Sequence, residues 1–156
     1  MTAPAEALFV DGVGALVHLL RTGLPSYRTG RMPVQVFTDL PDEMASLLPV
    51  VHLHRTGGAT DHPRFFGEFW VPIQCWAIED TVSDPVWDPR QAAFELSNQV
   101  ARILYLAWEQ QTVTPYGSIV RWRESSGFRK QDDPNLPHAS RFVATYDIWI
   151  RNPRAS

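Results

Sequence analysis

The sequence predicts an α+β domain in which two helices pack on one face of a mainly antiparallel sheet of about five strands, in the order α-β-β-β-α-β-β. Three observations carry this expectation. Apolar residues recur at three- and four-residue spacing near 8–20 and 92–107, strict alternation runs through 69–79 and 141–151, and Gly- and Pro-rich breaks separate these segments. Residues 1–151 read as the single domain and 152–156 as a frayed C-terminal tail.

The elements follow from local patterns. In the first helix Leu8, Phe9, Val13, Leu16, Val17 and Leu20 share a face, with Thr2 as N-cap and Pro4 and Glu6 tolerated in the first turn. Gly12 and Gly14 weaken it, each by up to ~1 kcal/mol relative to Ala, and Gly23 and Pro25 stop it. Residues 34–38 alternate as a short strand, and 48–54 form a second through Val50, Val51 and Leu53, with the acidic stretch 39–43 between them. A Gly pair and a Pro mark 55–64 as a long loop.

The strongest strand is 69–79: Phe69, Val71, Ile73, Cys75 and Ala77 point one way, and Trp70, Gln74, Trp76 and Ile78 the other. Pro72 cannot donate a ladder hydrogen bond, so the strand has an edge or a bulge there. An acidic loop with Asp80 and Asp84 leads to Asp88-Pro89, a helix start with Asp as N-cap and Pro at the first helical position. That helix carries Ala92, Ala93, Leu96, Val100, Ile103, Leu104 and Ala107 and ends before 112–115; its small residues imply close packing on the sheet. Strands 117–124 and 141–151 finish the domain. The polar stretch 125–140 between them, with Gly127, Pro134 and Pro137, is a long connection of the kind that is functional or mobile.

Composition excludes several classes. With 156 residues, 44% of them hydrophobic, the chain can bury roughly 70% of its unfolded surface and needs no metal or disulfide to hold a core. Cys75 is the sole cysteine, which excludes an internal disulfide and fits a reducing compartment. Arg21 is the first basic residue, after Glu6 and Asp11, so no secretory signal is expected, and no apolar run approaches the ~18 residues of a membrane span. A net charge of -3 argues against a dedicated nucleic-acid binder. Arg121, Arg123, Arg129 and Lys130, opposed by Glu124, form one basic segment that reads as a solvated strand edge and loop.

Catalytic signatures are missing: no nucleophile elbow, P-loop, Rossmann fingerprint or zinc motif occurs, and no cofactor is expected. His52 and His54 lie on the same strand face, and His62 or Asp61 would be the third ligand of a small metal-binding cytoplasmic enzyme, the alternative from a different class. Two histidines on a solvated strand need no metal. Asp132, His138 and Ser140 share a stretch and make a Ser/His/Asp set on paper only, since a triad is recognised in space. Cys75 reads as a small buried hydrophobe.

Aromatic placement is the informative anomaly. Trp70, Trp76, Ile78 and Trp149 fall opposite the side that carries Phe69, Val71, Ile73, Phe142, Tyr146 and Ile148. Two helices cannot cover both faces. Unless loops or the N-terminal segment wrap the second face, a single copy exposes an apolar patch of the kind that marks an association surface.

The phrases Phe69-Trp-Val-Pro-Ile-Gln-Cys-Trp-Ala77, Asp88-Pro-Arg-Gln-Ala-Ala-Phe-Glu-Leu96, Trp122-Arg-Glu124 and Arg141-Phe-Val-Ala-Thr-Tyr-Asp-Ile-Trp-Ile-Arg151, in this order of elements, resemble the tail terminator (tail completion) proteins of long-tailed bacteriophages. The resemblance spans nearly the whole chain. It implies a structural virion protein, not an enzyme: a homo-hexameric ring that caps the tail tube and joins the tail to the head. Its partners would be the tail tube protein and a head-completion protein. It would sit at the tail-neck junction after assembly in the bacterial cytoplasm, without membrane contact. Another neck connector, such as a head-completion or head-tail joining protein, shares this size and ring habit and is the nearer alternative.

On this reading Trp70, Trp76, Ile78, Trp149, Arg121 and Arg123 are subunit-interface candidates, the arginines facing the acidic stretches 39–43 and 80–88 of a neighbour. Two loops combine aromatic with basic residues as interface hot spots do: Arg55, Arg64, Phe65 and Phe66 in one, Phe128, Arg129 and Lys130 in the other. These are the candidate tail-tube or neck contacts. Arginines facing a ring lumen would also make passive contact with DNA.

Overall fold

The computed structural model describes residues 11–24, 34–43, 49–58, 66–79 and 86–152. Among them, helix α1 spans Gly12–Gly23, strand β1 Gln35–Phe37, β2 Val50–Leu53, β3 Phe66–Ala77, helix α2 Pro89–Glu109, β4 Ser118–Lys130 and β5 Ser140–Arg151. This is the α+β order that the sequence predicts. The strands form one sheet in the order β1-β2-β3-β5-β4; β1 pairs parallel to β2 and the other neighbours are antiparallel.

Both helices lie on the same face of the sheet. Leu16, Leu20, Leu96, Val100 and Leu104 pack with Val71, Ile73, Tyr146, Ile148 and Ile150 in one buried core, and each such aliphatic side chain contributes about 1.5–3 kcal/mol by leaving water. The period of two along β3 and β5 places every second residue there and turns the others to the opposite face.

Helix α1 begins later than its spacing suggests. Asp11 is the N-cap, its carboxylate accepting from the Gly14 N–H at 2.8 Å; Thr2, Pro4, Glu6, Leu8 and Phe9 lie outside the described residues. With this start the buried stripe is Ala15, Leu16, Leu19 and Leu20, while Val13 and Val17 are half-buried. At Gly12 the helix comes close against the sheet, because a Cβ there would enter the Phe69 ring. Helix α2 starts as its sequence dictates: Asp88 Oδ1 accepts from the Gln91 N–H at 2.7 Å, and Pro89 opens the first turn.

Pro72 sits at a local edge. Trp70, of the same parity, exchanges hydrogen bonds with Thr56 and Gly57, so the Pro72 nitrogen faces that side as well. There β2 has already ended, its last pair being Leu53 with Ile73. The missing donor leaves no ladder bond unmade.

The stretch 125–140 is not the long connection expected. β4 continues through Ser125, Ser126 and Gly127 to Lys130, with register shifts between Ile119 and Arg121, Glu124 and Ser126, and Ser126 and Arg129. Those irregularities break the alternation that would have announced a strand. The pairing is anchored by aromatics on the helix side: the Trp122 and Tyr146 rings stack at 5.6 Å, and Phe128 meets Tyr146 edge-on at 6.0 Å. The remaining connection, 131–139, is tied down. Arg141 Nε donates to Gln131 O at 2.6 Å, the Arg141 N–H to Asp132 Oδ1 at 3.2 Å, and Lys130 Nζ lies 2.8 Å from Asp132 Oδ2. The Lys130 contact holds the Asp132 carboxyl below its ordinary range. Asn152, assigned to the tail by sequence, is buried, and 153–156 lie outside the described residues.

Candidate functional site

The sheet face turned away from α1 and α2 is where the sequence anomaly comes to rest. Register pairs lay out its rows: Arg121, Trp149 and Glu68 in one; Arg123, Asp147 and Trp70 in the next; then Ser126, Thr145 and Pro72; then Arg129, Val143, Gln74 and His52. Phe66, across from Arg151, begins β3 on the same side.

Trp70 is the most exposed large hydrophobic side chain of these rows, at 49%, yet it is held in place. Its Nε1–H donates to Glu68 Oε1 at 3.0 Å. Its ring rests over Gly57, where an added Cβ would come within 2.6 Å of the Trp70 Cε3 atom. An exposed indole fixed before any partner arrives loses little entropy on binding. The half-buried Trp149, diagonal to Trp70, and then Phe66, 39% exposed, extend the aromatic surface toward the start of β3.

Two carboxyls form the floor of this patch. Asp147 Oδ2 lies 3.4 Å from Arg123 Nη2. Burial, together with the adjoining Glu68 carboxyl, pushes Asp147 above the ordinary aspartate range, and Arg123 and Arg121 offset part of that rise. Glu68 and Asp147 were missed from sequence because nothing in it pairs residues 79 positions apart, although the charges stood at open-face positions of both strands.

The other end of the face is covered by the chain itself. Trp76 is only 2% exposed, under Leu136 and Ala139 of the 131–139 connection, with Val50 and Phe37 beside it; the Arg141 guanidinium carbon lies 5.4 Å from its ring centroid. Trp76 therefore shares the face but not the exposure expected of it. Ile78 is exposed just beyond the end of β3.

The two expected contact loops resolve differently. Arg55 folds back on β3, its Nε donating to Gly57 O at 3.0 Å and its guanidinium carbon 4.6 Å from the Phe69 ring centroid. Arg64 and Phe65 lie outside the described residues, and Phe66 belongs to β3. Phe128, Arg129 and Lys130 stand on β4 rather than in a loop: Phe128 packs on Tyr146, Arg129 pairs opposite Val143 on the open face, and Lys130 pairs opposite Phe142.

The chemical candidates do not assemble. His52 and His54 stack with centroids 5.0 Å apart, and His52 Nε2 lies 3.0 Å from Thr38 O. Among the described residues no three His, Cys, Asp or Glu side chains converge as metal ligands; Asp61 and His62 lie outside them. Asp132 is engaged by Lys130 and the Arg141 N–H, and Ser140 is buried at the start of β5. Cys75 is buried, and desolvation pushes its thiol far up. A groove of about 360 Å³ beside α1 is lined by Asp11, His18, Arg21 and Tyr116, but Asp11 caps the helix and Arg21 donates to Val36 O at 2.9 Å.

A sheet packed by helices on one side and presenting pinned aromatics with arginines on the other is the build of a protein that works through a surface. The model of the phage tail termination protein family matches residues 9–156, and the chain belongs to that family. It is a structural protein of phage tails. A comparison with curated proteins gives no match. Among the described residues no helix is long and apolar enough to cross a membrane.

Proposed function

We propose that the chain terminates the phage tail tube as a closed homo-oligomeric ring, a hexamer, whose subunits meet through the open sheet face. One side of the ring seats on the tail tube protein, and the other receives a head-completion protein at the tail-neck junction. The observation that carries this reading is Trp70: half-exposed, hydrogen-bonded to Glu68 and seated on Gly57. It shares with Phe66 and Trp149 the sheet face that no helix among the described residues covers. Aromatic anchors with an arginine rim dominate the energy of protein interfaces, and a ring requires two different complementary patches on each copy.

The test is capture of the purified chain on polymerised tail tube protein and, separately, on portal complex of the same phage. Binding to tube ends is the expected result. Binding to portal alone would move the protein to the head side of the neck.

A further inference from the structure

The open face needs an occupant. Resting on the ring reading, we propose that the turn at 38–43 of one copy docks on the Trp70–Trp149 patch of the next. Three observations select it.

First is position. The turn follows β1, at one edge of the sheet, while the patch spans β3, β5 and β4 toward the other edge. Two strand spacings separate β1 from Trp70 on β3 and three separate it from Trp149 on β5, about 10 and 14 Å; Leu40 and Trp70 both stay exposed in the single copy, so turn and patch of one copy do not cover each other. A contact between them joins copies head to tail, the arrangement that propagates until it closes.

Second is composition. The turn presents Leu40, 37% exposed, and Pro41 between the exposed Asp39 and Asp42. The patch presents Trp70 and Trp149, with Arg121 beside Trp149 and Arg129 farther along the same face. An apolar tip flanked by acids fits an aromatic surface rimmed by bases. The floor carboxyls do not reverse this sign, because Asp147 pairs with Arg123 and the remaining Glu68 is outnumbered by Arg121 and Arg129 on the same face.

Third is what the charges disfavour. Two β4 edges facing each other would bring arginines together, and two turns would bring acids together, so like-to-like contacts are repelled. The basic side chains and register shifts of β4 also keep a neighbour's strand from extending the ladder. The joint is therefore made by side chains.

The experiment uses two variants of the full chain, Asp39→Lys/Asp42→Lys and Arg121→Glu/Arg129→Glu, measured by light scattering alone and mixed in equal amounts. Each variant alone is expected to lose the ring mass of the unaltered chain, because its two patches then carry one sign. The mixture is expected to regain that mass as an alternating ring, which also shows that both variants are folded. Rings from either variant alone, or a mixture that stays monomeric, overturn the docking while leaving the ring reading in place. A mixture that stops at dimers overturns head-to-tail closure. An unaltered chain that is monomeric at every concentration overturns both readings.

Discussion

Trp70 and Gly57 form one unit: the indole lies where a Cβ on residue 57 would sit, 2.6 Å from Trp70 Cε3, and the two residues bridge β3 to the segment after β2 through the Trp70 N–H and Gly57 O at 3.0 Å. Gly57→Ala should displace the ring without removing it. Its overpacking cost should be about 1–3 kcal/mol, read as a lower denaturation midpoint, and the intrinsic fluorescence should change as Trp70 lifts from its seat. An unchanged spectrum and midpoint would show that the indole does not depend on residue 57.

The aromatic stack under β4 gives a stability prediction. Trp122 contacts Tyr146, Tyr105 and Trp108 within ring-centroid distances of 5.6 to 6.3 Å. Trp122→Ala should cost about 3 kcal/mol, the low end for a packed aromatic because the ring is half-buried. Hydrogen exchange along β4 should accelerate more than along β2.

Helix α2 depends on its cap. Asp88→Ala leaves the Gln91 N–H without its 2.7 Å acceptor and should lower stability by about 1 kcal/mol, whereas Asp88→Ser should retain most of it. Equal effects from both would indicate that the carboxylate acts through charge rather than through this hydrogen bond.

His52 sets an acid sensitivity. Burial lowers its proton affinity in the fold; the Thr38 carbonyl offsets part of this and His54 adds to it. The unfolded chain therefore binds that proton more tightly. The penalty is absent above the ordinary histidine range, grows as pH falls through it, and is complete below the lowered folded value. His52→Gln should flatten the fall in denaturation midpoint between neutral pH and about pH 5; an identical fall in both proteins would place the sensitivity elsewhere.

What the sequence made legible follows from physics that is local. The element order, the Asp88-Pro89 start and the inward faces of β3 and β5 are written in spacing and capping residues. The start of α1 was misplaced because Asp11, the true cap, sits inside an apolar pattern that reads through it. β4 was cut short because its register shifts destroy alternation and its hold on β5 is long-range. The candidate site was half legible. Period two placed Trp70, Trp76 and Trp149 on one face, but whether the chain covers them is decided by the 131–139 connection, which buries Trp76 and leaves Trp70 exposed.

The central claim is that copies of this chain close into a ring through the Trp70 face. Light scattering behind size exclusion, run across a concentration series on the unaltered chain and on Trp70→Ala, tests it most directly. The expected result is one fixed mass of about six subunits for the unaltered chain and a monomer for the variant, since an anchor of this kind is worth about 2 kcal/mol or more at each joint. A monomer at every concentration for the unaltered chain, or the same ring from both proteins, would contradict it.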